Sequence, residues 1–491
     1  MPWLAWRART AIRRVYSKLF YFMERREMMG EMKIAELIAD LAVGMSYKTL
    51  PAAAIAYVKT LLLDVLGSMV GTRNLESSRI ARATAEELGG PGEATIVGSG
   101  KRVAAPNAAF ANAIQCYGFD FVDDHNESNA HPSPATIPVS LAVGEWLKIN
   151  GKELVAAIAL GNELVCRLGA AFLGDMYYQG FHPTSTCGTM GASLSAGKLM
   201  KLNRQQLIYT QGIAGSMVSG LMAWNSEGSY TKRLQAGHPA FCGIIAARMA
   251  QKGFNGPSDI YEGVDGVLHA YSHQDHYDSK WITEGLGTQW EFTTSSIKVY
   301  PCCRYSGGHL DACLELVQKY HPDPKKIKKI LIRSSNYTIH LLAEPRKWDP
   351  QNVVDGQFSM PYQAAIAFVR GKVGIDEFTE ESLRDPQARK LMKCVEVVED
   401  EEFERRYPGQ YSSAVTITME DGMTYTAVVD NPKGDKRNPV THEDVENKFR
   451  SLVDRVFEDE SLAKQVIDYV NNIEGSKDVG ELVSMVTVQT A

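Results

Sequence analysis

Apolar residues recur at three- and four-residue spacing through most of the first 285 positions of the chain. The runs MKIAELIADLAVGM, LPAAAIAYVKTLLLDVLGSMVG, PNAAFANAIQCYGF, GKELVAAIALGNELVCRL, RQQLIYTQGIAGSMVSGLMAW and HPAFCGIIAARMAQKGF each gather their apolar side chains on one helical face. Alanine and glycine are frequent in them, which predicts close helix–helix contact in a buried bundle. One β-like run, EATIVG, interrupts the series. Near residue 290 the pattern changes: SSIKVYP, KKILIRSS, CVEVVED, SSAVTITMED and MTYTAVVD alternate or cluster β-branched residues and read as strands. The turn EDGM joins the last two as a hairpin, and helical patterns, GGHLDACLELVQKY and SMPYQAAIAFVRG, lie among them. The helical period then returns in NPVTHEDVENKFRSLVDRVF, with Thr441 as N-cap and Asp444 three residues on, and in ESLAKQVIDYVNNI.

The order helical, mixed, helical predicts a mostly α fold: a large all-helical domain built from both chain ends, with a smaller α+β lid domain inserted. The expected segments are an extension at 1–31, helical domain at 32–292, lid at 293–440 and returning helices at 441–491. The extension carries Arg7, Arg9, Arg13, Arg14 and Lys18 before its first acid, Glu24. Transit peptides and interfacial helices share that pattern. Met28, Met29 and Met32 precede the first regular helix, so the segment reads as lying outside the core, with its targeting role open.

Composition narrows the classes. A chain of 491 residues is long for one domain, and a net charge of −6 offers no nucleic-acid footprint. The longest apolar run, LVAAIALGNELVCRLGAAF, is broken by Glu163 and Arg167, so no membrane span is expected. The 8 cysteines are scattered apart from Cys302 and Cys303, without a C-x-x-C, which fits reduced thiols and a cytoplasmic protein. No G-x-G-x-x-G follows a strand. TIVGSGKR imitates a phosphate loop but has Thr95 in place of the first glycine and no hydroxyl after Lys101. H-E-x-x-H and G-x-S-x-G are absent, and His273 and His276 in HQDH lack partner ligands and read as a solvated polar face. Neither a metal nor a cofactor is expected.

What remains is a set of histidines. In GFHPTSTCGTMGA, His182 stands ahead of a helix whose Gly188, Gly191, Ala192, Ser195 and Ala196 form a face almost without side chains. Unpaired N–H groups and the helix dipole attract anions at such a start. His131 in AHPSPATIPVS repeats the layout, and His238 in AGHPAFCG precedes Gly243, Ala246, Ala247 and Ala250. His321, also before proline, sits in a charged turn and reads as exposed. Any one of the first three, alone, reads as a core histidine bonded to a carbonyl; the repetition points to a shared pocket. Upstream of His131, Asp120, Asp123, Asp124 and Glu127 form an acidic loop, and Asp120 directly follows a helix. A carboxylate there would orient an imidazole or raise its pKa. Lys232 and Arg233 stand between apolar helices, either as a surface loop or as a clamp for carboxylates. An acid, several histidines and a lysine suit proton transfer beside a carboxylate.

Together GFHPTSTCGTMGA, AHPS after the acidic loop, TKRLQAGHPAFCGIIAARMAQKGF and YPCCRYS resemble the MmgE/PrpD family, from about Lys33 to about residue 470. That family includes 2-methylcitrate dehydratase, cis-aconitate decarboxylase and iminodisuccinate epimerase. The resemblance implies a helical domain from both chain ends, an inserted lid, a pocket between them, a homodimer and no obligatory cofactor. It implies catalytic roles for Asp120, His131, His182 and Lys232. Asp124, Arg233, Cys303 and Tyr337 are the candidates for substrate binding, Tyr337 being the weaker match. The acidic loop has one residue more than usual before His131, which leaves Asp120 and Asp124 as alternatives for the active carboxylate. Cys303 stands where cis-aconitate decarboxylases carry a lid histidine. The resulting expectation is a lyase for a small di- or tricarboxylic acid, foremost a hydro-lyase of the 2-methylcitrate dehydratase type. An epimerase of a dicarboxylate and a carboxy-lyase are the alternatives. A non-catalytic binding protein fits poorly, because Asp120, His131, His182 and Lys232 are retained together.

Overall fold

The computed structural model describes residues 32–487; the basic extension and its possible targeting role lie outside the described residues. The fold is mostly α with a small α+β part. At its centre the helix Pro183–Leu199, buried along nearly its whole length, lies against Gly151–Ala171 and Thr231–Gln251. The missing side chains are what allow this. A Cβ on Gly191 would stand 2.5 Å from the Gly161 carbonyl oxygen, and one on Gly243 would stand 2.7 Å from the Ala192 carbonyl carbon. Helices Ala105–Cys116 and Ser133–Leu147 complete the inner layer, and both open with a proline in the first turn, where no N–H is needed.

Two helices, Ala52–Gly71 and Gly151–Ala171, are long and apolar enough to cross a membrane by composition, one more than the sequence singled out. Both are core helices here, the second buried throughout. The charges that interrupt its apolar run are used internally. Arg167 bonds Glu163 and donates to the carbonyls of Trp281, Glu284, Gly285 and Gln289, pinning the loop that follows.

The α+β part has its own apolar core, from Trp224 and Cys302 through Ala427. Its sheet has the order Val395–Glu399, Ile327–Ser334, Ser413–Met419, Thr424–Val429, the first pair parallel and the others antiparallel. Helices Gly307–Tyr320 and Met360–Arg370 pack on it. The expected hairpin forms, with Gly422 supplying a φ of 87° at the turn.

Three expectations change. SSIKVYP is not a strand of the sheet: the Ser296 N–H donates to the Asp124 carbonyl and the Ile297 N–H to Gly434, so the segment is spent tying the acidic loop to the lid. The run beginning RQQLIY leaves the helix at Gly215, and the Gly220 carbonyl, at a φ of 130°, accepts the His182 N–H. His238 lies within Thr231–Gln251, not ahead of it.

The helix His442–Val453 is closed at its start by Thr441 and Asp444, which bond each other's backbone N–H. It packs on Ala52–Gly71, where a Cβ on Gly67 or Gly71 would touch Phe449 or Leu452. Val445, Phe449 and Val453 thereby join the core of the N-terminal helices.

Candidate active site

A small cavity opens where the starts of Ser133–Leu147 and Pro183–Leu199 meet the acidic loop, the helix Thr231–Gln251 and the lid. Asp120, Asp124, His131, His182, Lys232 and Cys303 all line it. His182 is the N-cap residue of its helix, as its place before Pro183 implies. Asp120 sits just past the end of Ala105–Cys116 in the left-handed region, at a φ of 53°. A non-glycine residue is uncommon there, and such strain is often kept at functional sites.

Two ammonium groups converge on Asp120. Lys232 Nζ and Lys298 Nζ each approach its Oδ1 at 2.8 Å, and Oδ2 has no hydrogen-bond partner among the described residues. Burial by itself would raise this carboxyl, but the lysines outweigh it and hold it well below the usual range. Lys232 also donates to the Tyr117 hydroxyl at 2.9 Å, and its ammonium stands 4.0 Å from the centre of that ring. Burial pulls the Lys232 pKa down to about 8, against the opposing pull of Asp120. It is a charged group with a proton ready to leave near neutral pH.

Both imidazoles are held neutral and oriented alike. His131 Nδ1 is 2.7 Å from the Asp123 carbonyl oxygen, which can only accept. The proton therefore sits on Nδ1 and leaves the Nε2 lone pair free, with Nε2 3.9 Å from Asp120 Oδ1. His182 Nδ1 bonds Gln235 Oε1, and Gln235 Nε2 donates to the Leu221 carbonyl at 2.6 Å, which fixes that amide's orientation. His182 is thus also an Nδ1–H tautomer. Burial, reinforced by Lys232, lowers its pKa to about 3, and burial with Lys298 lowers that of His131 strongly.

The other carboxyls differ in kind. Asp123 is structural: it accepts from the Ser133 hydroxyl at 2.8 Å, and burial next to Asp64 raises it to about 8. Asp124 lines the cavity 3.5 Å from His131 Nδ1, and burial lifts it to about 6 against Lys298 and Arg304. Glu127 is outside, paired with Lys436. Cys303 is a neutral wall residue, its thiol pushed up to about 12 by burial.

Arg233, Tyr337 and His238 do not reach the cavity. Arg233 follows Lys232 by one helical step, about 100° around the axis, and donates to Ser77 at 2.6 Å. Tyr337 stands behind the wall, its ring 5.6 Å from Tyr177 and 5.8 Å from Tyr305, which do line the cavity. His238 bonds Ser219 and Cys242 instead. Conversely, Lys298, Arg304, Gln235 and Tyr117 belong to the site and were not legible. Lys298 lies in SSIKVYP, which the pattern reads as a strand. A single lysine in SSIKVYP was the only signal.

Fold and cavity together define a class: mostly helical proteins with a small α+β part, whose buried cavity gathers imidazole, ammonium and carboxyl groups. The family follows from comparison with known proteins. The MmgE/PrpD N-terminal domain matches residues 36–280 and the MmgE/PrpD C-terminal domain residues 300–472, and the chain belongs to that family. It is similar to cis-aconitate decarboxylase of Aspergillus terreus, 26% identical over 91% of this chain and 94% of that protein. The human cis-aconitate decarboxylase is 27% identical over 92% and 94%. A mitochondrial 2-methylcitrate dehydratase of Yarrowia lipolytica is 26% identical, over only 23% of this chain and 24% of its own length. All three are lyases, and the family places this protein among enzymes of that class.

Proposed function

We propose that the protein is a lyase for a small di- or tricarboxylic acid, working by proton transfer at the carbon next to a carboxylate, and that it is foremost a hydro-lyase. The observation that carries this reading is the pairing, in one cavity, of unprotonated imidazole Nε2 atoms with an ammonium of lowered pKa. Dehydration needs a base and an acid at once. An Nε2 lone pair takes the proton from carbon, that C–H electron pair becomes the double bond, and the C–O bond breaks. The departing hydroxyl takes a proton from the Lys232 ammonium and leaves as water. Asp120 holds Lys232 and Lys298 in place, and the second ammonium keeps the region cationic after the first has given up its proton. With both imidazoles held neutral, the lysine is the group that can supply this proton.

Decarboxylation is the second reading, favoured by the near full-length similarity to cis-aconitate decarboxylases. It calls for an acid to protonate the carbanion and gives the two bases no work. NMR of the purified protein with 2-methylcitrate, citrate, cis-aconitate and iminodisuccinate distinguishes water loss, carbon dioxide release and epimerisation. Release of carbon dioxide without any exchange of solvent deuterium into a hydroxy acid would overturn the hydro-lyase reading.

A further inference from the structure

Arg304 enters the cavity from the lid side and is 5% exposed, yet few of its donors are engaged. Its Nη2 makes two long contacts, 3.3 Å to Ser296 Oγ and 3.4 Å to Asp435 Oδ2. Its Nε–H is buried with no partner among the described residues. A guanidinium carries five donors in a planar fork, and leaving them unmatched away from water is costly. Asp435 does not need this arginine. It accepts from the backbone N–H and Nε of Arg437 and from Asn126 Nδ2, at 2.9, 3.0 and 3.0 Å. One face of the guanidinium is backed by the Tyr411 ring, 5.7 Å away, and that ring is stacked on Tyr305. The group is therefore held in place by its surroundings while its Nε–H remains unspent and its Nη2 contacts are long.

Asp120 and Lys232 also line the cavity, and Lys298 reaches the same Asp120 oxygen, two ammoniums on one carboxylate. The cavity thus has one cationic pole at Lys232, on the helix Thr231–Gln251, and another at Arg304, on the lid. Asp124 lines the cavity as well, and the charges of Lys298 and Arg304 both act on its carboxyl.

We infer that Arg304 is the binding residue for a second substrate carboxylate, distal to the carbon served by the imidazoles and Lys232. This rests on the proposed reading of the cavity as a di- or tricarboxylate site and names the residue that makes it select against monocarboxylates. Binding a ligand at both poles would also tie the lid to the helices.

The test is titration of the full chain with tricarballylate and with butyrate, followed by calorimetry or competition. The wild type should bind tricarballylate at least about 10-fold more tightly than butyrate, the scale on which one charged hydrogen-bonded contact is lost. Arg304→Gln should remove most of that preference, leave butyrate affinity within about threefold, and keep the melting temperature. Arg304→Lys retains the charge beside Asp435 without the planar fork and should fall between the two. Unchanged tricarballylate affinity in a folded Arg304→Gln, or in Arg304→Lys where the glutamine variant does not fold, overturns the inference and leaves the functional reading standing. A wild type that binds neither probe overturns the reading itself, and the inference with it.

Discussion

At the scale of residues, the chemistry depends on which groups carry protons. His131 and His182 have Nδ1–H tied up and Nε2 free, while Lys232 sits near pKa 8. His182→Gln should leave the fold and most of the substrate affinity intact and lower kcat by roughly 10²-fold, the usual scale for a lost base. A satisfied core histidine would instead show mainly a lower melting temperature, so turnover and melting are measured on one preparation. Lys232→Ala should raise KM and lower kcat together, because the ammonium both attracts the carboxylate and supplies the proton. The pH profile has a definite sign. An ordinary imidazole is protonated below about pH 6.5, but His182 at about 3 is not, so kcat/KM should persist below pH 6. It should fall as pH rises through about 8, where Lys232 loses its proton. A profile that declines on the acid side with an apparent pKa near 6.5 would sink the assignment of neutral bases; an acid limb that Asp124→Asn removes would belong to Asp124.

At the scale of elements, the site depends on how closely three helices approach. Pro183–Leu199 carries His182 at its start and reaches its place only because Gly191 and Gly161 have no side chains in the way. Gly191→Ala puts a methyl 2.5 Å from a backbone oxygen, so the backbone has to move. It should cost about 1–3 kcal/mol, as overpacked cores do, read from the denaturant midpoint. Turnover should fall beyond what the unfolded fraction accounts for, since the displaced helix carries the imidazole. A neutral effect on both would mean that the close approach is not required.

At the scale of the molecule, Lys448 joins regions far apart in the chain. From the helix His442–Val453 its ammonium reaches Asp64 at 2.6 Å, the Phe121 carbonyl at 2.6 Å and the Lys298 carbonyl at 2.9 Å. It thus fixes the backbones next to both members of the Asp120–Lys298 pair. Lys448→Met leaves Asp64 buried without its cation, a loss that costs about 3–5 kcal/mol when a buried pair is broken. The melting temperature should drop, and turnover well below melting should drop too; a loss confined to stability would limit Lys448 to a structural role. We further propose that the protein assembles as a homodimer, on the strength of the resemblance and of its small-residue helices. Light scattering at micromolar concentration should give twice the chain mass, and a monomer there would count against it.

The sequence by itself determined whatever depends on near neighbours. Helical period, capping residues such as Thr441 and Asp444, the hairpin turn and the seat of His182 ahead of Pro183 are local, because backbone geometry and capping bonds span only a few residues. His131 and His182 were legible as candidates because a following proline gives each a defined direction, and Asp120 and Lys232 because the family resemblance pointed to them. Tertiary structure alone decided which neighbour in a motif faces the cavity. Lys232 and Arg233 are adjacent and equally charged, but about 100° of helix separates them, and only the packing of Thr231–Gln251 chooses between them. It also moved His238 into mid-helix, and brought Lys298 to Asp120 across 178 positions. Protonation was decided there as well. Burial and the charge of distant groups set whether an imidazole is neutral or a lysine gives up its proton, and neither is a property of the residues beside it in the chain.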